Sequence, residues 1–239
     1  MGAPGARDML ASEVATLQDN SIHGDDSYLT RGLGGNAFLD VVMDGVTGCG
    51  GEEASRSVRD ALAEVSISSP DDIVKVLERV NEEFYQVGGG RFLLTTVSVA
   101  LYLNGRLNVI SAGDSPVFLF GPSSSQQLSG RVGGFLHVSV PKAIGAGPNL
   151  ANLVNAEAQI EPGARLLLVT DGLSDNLQRK DMEDMVRGAA SPLEAAGRID
   201  RAITSLLREG RAPAQLGGRF RHDDRTAVIR FFSDGEPAI

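Results

Sequence analysis

The first half of the chain alternates between strand-like and helical spacing of apolar residues. Residues 37–43 (AFLDVVM) form a short apolar run that predicts a buried strand ending at Asp44. Two helices are predicted next, because apolar residues then recur every three or four positions. The second should begin at Ser69, a favoured cap followed by a first-turn proline, and end at the glycines 88–90. The predicted apolar faces are Ala54, Val58, Leu62 and Val65, then Ile73, Val76, Leu77, Val80, Phe84 and Val87.

From residue 91 onward the pattern is that of strands joined by turns. Apolar runs at 92–103 and 106–112 flank an Asn-Gly pair, the strongest short hairpin signal. The segment 121–134 is rich in turn residues and is predicted to be a mobile loop. Other predicted strands lie at 116–120, 135–140, 155–161, 166–169 and 226–232, and other predicted helices at 179–187 and 191–208. Clustered strands, hairpins and paired helices favour an antiparallel α+β fold in one domain, residues 1–239.

The composition is globular and acidic. Of 239 residues, 42% are hydrophobic and 22% charged, and a net charge of −9 disfavours nucleic acid or an anionic membrane as the main partner. A single cysteine, Cys49, excludes an internal disulfide, and with three widely spaced histidines it gives no zinc-ligand spacing. Because the N-terminus lacks the apolar core of a signal peptide and no apolar run is long enough to span a membrane, we expect a cytoplasmic protein. We also expect it to be a monomer.

Apolar runs stop at acidic residues more than once along the chain. Asp44 and Asp171 each end a strand-like run and precede a glycine, while Asp26 and Asp223 stand just before other apolar segments. If these strand ends converge, they form a site of at least four carboxylates, which suits Mg²⁺ or Mn²⁺ better than Zn²⁺ or Cu²⁺. Taken singly, an Asp-Gly after a strand is usually a turn.

Two further acids have simple structural interpretations as well. Asp175 could cap the helix that follows it, and Asp114, within the segment GDSP, could hold a type I turn. A metal site is therefore predicted by the joint pattern and not by any one residue.

The order of these motifs resembles the PP2C-type (PPM family) metal-dependent protein serine/threonine phosphatases, which include the sporulation-type bacterial serine phosphatases. The resemblance extends from about residue 20 to the end of the chain. The segments that carry it are GDDSYL (24–29), VVMDGVTGCGGEEAS (41–55), TTVSVA (95–100), NVISAGDSPVFLF (108–120), PKAIGAG (141–147), EPGARLLLVTDGLSDNL (161–177) and DDRTAVIRF (223–231).

The resemblance implies a four-layer αββα sandwich, two antiparallel sheets flanked by helix pairs, with a dinuclear Mn²⁺ or Mg²⁺ centre at one end. It implies hydrolysis of phosphoserine or phosphothreonine in a protein substrate by a metal-activated water, attacking in line without a covalent phosphoenzyme. Asp44 would bridge both metals, and with Asp26 it is a predicted catalytic residue. The implied ligands are Asp44 and the Gly45 carbonyl, Asp26 directly or through water, Asp171 and Asp223 on the other metal, and Asp114 with Asp175 at a third, weaker site.

The sequence departs from the family pattern in three places. Two of them are positions with a functional side chain in relatives, and at the third the side chain is shorter than in relatives. Ser21 stands where many relatives have a phosphate-binding arginine, and Val46-Thr47-Gly48-Cys49 occupies the segment in which relatives often carry a histidine. Asp25 is shorter than the usual Glu or Gln before the first-block Asp. The phosphate-binding residue is therefore unknown, and the candidates, each of which has a solvated surface role as its alternative, are His23, Arg7, Arg219, Arg221 and Arg225.

Two interpretations other than an active phosphatase arise from the sequence. The missing arginine and histidine suggest a catalytically impaired relative that binds phosphoproteins or acts as a regulatory domain, although all the main metal ligands are present. An ATP-binding domain is excluded, because the chain has no G-x₄-G-K-[ST] loop. The segment at about 121–143 corresponds to the family's flap beside the active site; it is either a mobile element that affects substrate choice or an idle loop.

Overall fold

The structure is a computed structural model that describes residues 10–130, 143–150 and 153–235. The strands are β1 (Leu10–Asp19), β2 (Asp26–Gly34), β3 (Ala37–Asp44), β4 (Val97–Leu103), β5 (Arg106–Ala112), β6 (Val117–Phe120), β7 (Ser125–Ser129), β8 (Val154–Ala158), β9 (Arg165–Val169) and β10 (Arg225–Asp234). The helices are α1 (Gly51–Glu64), α2 (Pro70–Gly88), α3 (Asp171–Ser174), α4 (Arg179–Gly188) and α5 (Pro192–Glu209), with a short 3-10 helix at Ala214–Leu216.

These strands form two five-stranded sheets in which every named pair is antiparallel. One sheet has the order β1-β10-β9-β6-β7 and the other β2-β3-β4-β5-β8. Helices α1 and α2 cover the second sheet, and α4 and α5 cover the first. The four-layer αββα sandwich implied by the resemblance is confirmed.

The core consists of three apolar layers, because each sheet is covered on both faces. Alternate residues of one strand point to different layers: Leu39 and Val41 pack against α1 and α2, whereas Phe38 and Val42 pack between the sheets. A strand buried on both faces has no polar face, which explains the continuous apolar runs in the sequence. Burial of Asp40 in the middle layer is the exception, and Arg230 of the opposite sheet is its partner.

Local signals account for the helices that the sequence predicts. Ser69 caps α2 in a capping box with Asp72, whose carboxylate accepts hydrogen bonds from the backbone N–H groups of Ser68 and Ser69. Gly89 ends the helix in the left-handed conformation, donating its N–H to the carbonyl of Tyr85 over 2.8 Å. A residue with a Cβ is strained there, so glycine at this position fixes the end of the helix.

Some sequence expectations are wrong or fall outside the described residues. Val87 does not lie on the apolar face of α2, since its side chain is 74% exposed. The predicted mobile loop at 121–134 contains strand β7 in its described part, and the predicted strand at 92–103 begins only at Val97. The predicted strand at 135–140, and most of the predicted flap, lie outside the described residues.

Candidate metal centre

The predicted metal ligands come from strand ends that meet at one end of the sandwich. Asp26 at the start of β2 lies directly opposite Asp44 at the end of β3 in the antiparallel register. Asp171 follows β9, and its N–H nitrogen lies 3.5 Å from Oδ2 of Asp44. Asp223 stands two residues before β10 and adds to the negative potential at both Asp44 and Asp171. Antiparallel topology thus gathers carboxylates that are far apart in the sequence.

Burial and mutual repulsion raise the pKa values of these carboxyls. Burial, with the negative charges of Asp224 and Asp171 adding to it, raises the pKa of Asp26 to about 8. Burial and the charge of Asp223 raise the pKa of Asp171 to about 7. Burial and the charge of Asp171 raise the pKa of Asp44 well above its usual value. A bound divalent cation would remove this penalty, because opposite charge favours the ionised form.

The donor set fits a hard divalent cation, although the side chains do not stand in a coordination shell. Among the described residues, no Lys or Arg forms an ion pair with Asp26, Asp44 or Asp171. The same part of the chain contains no group of three or more His, Cys, Asp or Glu side chains arranged to hold a metal ion as they stand. Carboxylate and carbonyl oxygens are nevertheless the ligands that Mg²⁺ and Mn²⁺ prefer.

The backbone of Asp44 is fixed by two threonines, Thr95 and Thr96, for which the sequence pattern predicts no role. Its carbonyl accepts from the N–H of Thr96 at 2.7 Å and from Oγ1 of Thr95 at 3.0 Å. Its N–H donates to Oγ1 of Thr96 at 3.3 Å, and that hydroxyl is 2.8 Å from Oγ of Ser115, next to Asp114. A buried hydroxyl network therefore links Asp44 to the loop that carries Asp114.

A third threonine joins the two sheets at Asp26. Thr170 is fully buried, donates its hydroxyl to Oδ2 of Asp26 at 2.8 Å, and accepts from the N–H of Thr226 at 2.9 Å. Asp26 is itself only 4% exposed, so one of its carboxylate oxygens is directed by this contact. A polar residue at the end of the apolar run 166–169 is the signal that could have identified Thr170.

Asp224, beside the predicted ligand Asp223, organises the loop that precedes β2. Its Oδ1 accepts from the backbone N–H groups of Ile22 and His23 at 3.1 and 3.0 Å, and its Oδ2 accepts from that of Asp25 at 2.7 Å. The same loop brings His23 Nε2 to 4.0 Å from Oδ1 of Asp223. Asp224 thus positions the residues that lead into Asp26.

The predicted third-site acids lie at the rim of this cluster. Asp114 and Asp175 both contribute to the raised pKa of Asp171, so both stand near it. Asp175 ends α3 and does not cap α4, whose N-cap is Gln178. Its carboxylate forms an ion pair with Arg221. The structure therefore places Asp175 near the other acids, but with a cation already in contact.

Both Asp-Gly glycines are required by close backbone approach. A Cβ at Gly45 would lie 2.4 Å from the backbone of Gly51, and one at Gly172 would lie 2.0 Å from the carbonyl oxygen of Asp224. Neither neighbour is a flexible side chain, so any larger residue would displace the loop that follows Asp44 or the segment that carries Asp223.

The raised pKa values predict that the metal-free protein becomes less stable as the pH rises. The carboxyls of Asp26 and Asp171 lose their protons near their usual value of 3.8 when unfolded, but near 8 and 7 when folded. Their contribution to stability is fully present below about pH 4 and is lost as the pH rises through the folded values. Urea midpoints in a chelator should fall between about pH 6 and pH 8.

The stabilisation that Mn²⁺ provides should increase as the pH rises, because Mn²⁺ competes with protons for the same carboxylate oxygens. The Mn²⁺-induced increase in midpoint should grow over the same pH range. Asp26→Asn should flatten the chelator profile, since the amide does not titrate there. A wild-type midpoint in chelator that is level or rises from about pH 6 to pH 8 would contradict this prediction.

Comparison with known proteins agrees with this architecture. The family model described as stage II sporulation protein E (SpoIIE) matches residues 38–231. No curated protein sequence matches the chain significantly. Within the described residues, none of the helices combines the length and the apolar character that crossing a bilayer requires.

Solved structures of bacterial phosphatases superimpose over nearly the whole chain. They include PppA, a regulatory component of the type VI secretion system in Pseudomonas aeruginosa (22% identity, TM-score 0.72, covering 92% of this chain and 97% of that one). The catalytic domain of the serine/threonine phosphatase PstP with two manganese ions gives 20% identity and a TM-score of 0.67, covering 94% of this chain and 100% of that one. The structure of RsbX with magnesium gives 18% identity and a TM-score of 0.63, covering 94% of this chain and 96% of that one. The chain therefore belongs to the stage II sporulation protein E family, and its fold is that of the PP2C-type serine/threonine phosphatases.

Proposed function

We propose that the protein is a Mn²⁺- or Mg²⁺-dependent phosphatase that hydrolyses phosphoserine or phosphothreonine in proteins. The observation that carries the proposal is the meeting of Asp26, Asp44, Asp171 and Asp223 at one end of the sandwich, with no arginine or lysine paired to the first three in the described part of the chain. Structural resemblance to PstP, whose structure contains two manganese ions, supports the same metals here.

The carboxylates named above and the Gly45 carbonyl would hold two metal ions, and Asp114 with Asp175 would hold a third. When bound, such ions supply positive charge for the phosphate oxygens and a water of lowered pKa. The side chains would then position the metal ions and the substrate and would form no covalent bond with the phosphate, because phosphoryl transfer needs little covalent participation from side chains.

The surrounding hydrogen bonds have that positioning role in the proposal. Thr95 and Thr96 fix the backbone of Asp44 at both its N–H and its carbonyl, and Thr170 directs one oxygen of Asp26. Asp224 holds the loop before β2 against β10. Hydrogen bonds of this kind orient metal ligands, and they would reduce the rearrangement that the side chains still need to form a coordination shell.

The deciding experiment is phosphate release from a phosphothreonine peptide by the full chain, with and without Mn²⁺. We expect turnover in Mn²⁺ or Mg²⁺ and loss of turnover in a chelator, restored by adding the metal back. A protein that is stabilised by Mn²⁺ but releases no phosphate from peptides or from p-nitrophenyl phosphate would contradict the enzymatic proposal.

That contradicting outcome would favour the second candidate function, a phosphoprotein-binding or regulatory domain. Specific observations that favour it are Ser21 and the absence of a histidine from the segment Val46-Thr47-Gly48-Cys49 that directly follows Asp44-Gly45. PppA, with the same fold, is described as a regulatory component of its secretion system. Metal-dependent stabilisation distinguishes this candidate from a damaged protein, since a bound ligand stabilises only the folded state.

A further inference from the structure

The proposed phosphatase needs a cation for the phosphate group of its substrate, and Ser21 leaves that role open. We propose that Arg221 binds the substrate phosphate, and that Asp175 holds its guanidinium at the rim of the acidic cluster until the phosphate arrives. The inference rests on the proposed function, and it names the residue that replaces the arginine found in relatives.

The backbone around Arg221 is held firmly beside the cluster. The amide of Asn176 accepts from the N–H of Arg221 at 2.8 Å and donates to its carbonyl at 2.9 Å. The same amide nitrogen is 2.9 Å from the carbonyl of Gly172, next to Asp171, and Asn176 is fully buried. These contacts fix Arg221 to the segment that carries Asp171 and Asp175.

The neighbours of Arg221 determine which way its side chain can point. Phe220 is 4% exposed and belongs to the apolar layer between the first sheet and helices α4 and α5. With that residue anchored in the core and the Arg221 backbone clamped, the arginine side chain is directed outward and remains 62% exposed. Its guanidinium meets Asp175 there, over the edge of the cluster.

The guanidinium pairs with a carboxylate whose residue, Asp175, lies one helical turn from the predicted metal ligand Asp171. The N–H of Asp175 donates to the carbonyl of Asp171 at 2.7 Å. We infer that a phosphate bound at Asp171 and Asp223 would be within reach of the Arg221 side chain, because Arg221 contacts Asp175 and is two residues from Asp223 in the chain. An exposed ion pair contributes little to stability, whereas a guanidinium and a phosphate form strong charge-assisted, bidentate hydrogen bonds. Exchange of the carboxylate for the phosphate is favourable on these grounds.

The other candidate cations are less suitable. Arg225 is 7% exposed and pairs with Asp19, so it would have to leave the interior to reach a substrate. Arg219 is exposed and, within the described residues, forms no ion pair with the cluster. Arg7 lies outside the described residues. His23 contacts Asp223, but an imidazole carries a full charge only when protonated.

Asp175 has two possible partners, and this gives the proposal a second consequence. A third metal ion and Arg221 would compete for the same carboxylate. Movement of the guanidinium to the phosphate frees Asp175, so removal of Arg221 should leave Mn²⁺ binding unchanged or make it tighter. A purely structural arginine would not produce this combination of weaker phosphate binding and undiminished metal binding.

The test compares Arg221→Ala and Arg221→Lys with the matched control Arg219→Ala, which removes an exposed arginine of the same loop. The measurements are kcat and KM for the phosphothreonine peptide, the inhibition constant of inorganic phosphate, and the Mn²⁺ midpoint from thermal stabilisation. For Arg221→Ala we expect KM and the inhibition constant to rise about tenfold, the size of one lost charged hydrogen bond. Lysine should restore part of the loss, and Arg219→Ala should match wild type.

Equal phosphate inhibition constants for Arg221→Ala and Arg219→Ala would overturn the proposal, as would a lower melting temperature of Arg221→Ala with no change in phosphate binding. The proposed function has a separate criterion, turnover by wild type. If wild type is inactive in Mn²⁺, calorimetric titration of inorganic phosphate into the Mn²⁺-loaded wild type and Arg221→Ala decides the inference directly: weaker binding by the variant supports it, and equal binding refutes it.

Discussion

Asp44→Asn is expected to lower kcat/KM for a phosphothreonine peptide by about 10³-fold, the scale seen when a preorganised electrostatic group is removed. The amide has the size of the carboxylate but carries no charge. Its NH₂ group replaces one carboxylate oxygen and cannot bind a metal ion. The same change removes a carboxyl whose pKa is raised by burial and by the charge of Asp171. The metal-free variant should therefore be more stable than wild type at about pH 7, while its stabilisation by Mn²⁺ should shrink.

Measuring activity and stability together distinguishes this result from simple misfolding. Asp60→Asn, which removes an exposed carboxylate paired with Arg59 on α1, is the matched control and should change neither quantity. An Asp44→Asn protein that keeps most of its activity, or one that loses activity together with stability, would contradict the role given to Asp44.

Arg230→Ala is expected to lower the free energy of unfolding by about 3–5 kcal/mol, because it leaves a carboxylate buried without its cation. Arg230 of β10 donates from Nε and Nη2 to both oxygens of the fully buried Asp40 of β3, at 2.7 and 2.8 Å. Its guanidinium also lies 4.0 Å from the ring centroid of Phe38 and 2.9 Å from Oγ of Ser12. The pair thus joins the two sheets across the middle layer.

Urea unfolding of the metal-free protein at about pH 7 measures this cost. The control Arg106→Ala breaks an ion pair with Glu157 in which both side chains are more than half exposed, and it should cost about 0–1 kcal/mol. The double variant Asp40→Leu with Arg230→Met should recover much of the loss, since apolar replacement of a buried pair is often neutral. A loss for Arg230→Ala no larger than that of the control would show that the buried pair is dispensable.

Sequence alone predicted the elements whose signals are local. Helix α2 has a cap, a first-turn proline and a terminating glycine, and the β4–β5 hairpin has an Asn-Gly turn. Strands β1, β2 and β7 were not predicted, and each of them is an edge strand of its sheet. Edge strands bury little surface, so β7 (SQQLS) carries no apolar pattern and reads as a loop.

The site was predicted as a set of acids, but not as a set of contacts. The GDDSYL block and the two Asp-Gly motifs predicted Asp26, Asp44 and Asp171 as members of one site, whereas their approach depends on a topology that no single segment encodes. Thr170 contacts Asp26 across 144 positions, and Asp224 contacts the loop before β2 across about 200. The Arg221–Asp175 pair spans 46 positions. Such long-range partners become visible only once the strands are in register.

The pairing of β1 with β10 determines how the protein can be extended by engineering. Leu10 lies opposite Asp234, and Asp19 lies opposite Arg225 beside the predicted metal ligands, so residues 10 and 234 are neighbours at the end of the sheet away from those acids. At the usual rise of a strand, the length of β1 separates Leu10 from Asp19 by about 30 Å. A fluorescent reporter joined directly to residue 10 or residue 234 would stand at the end of the sheet away from the predicted metal ligands, and a short linker between these two residues would allow circular permutation.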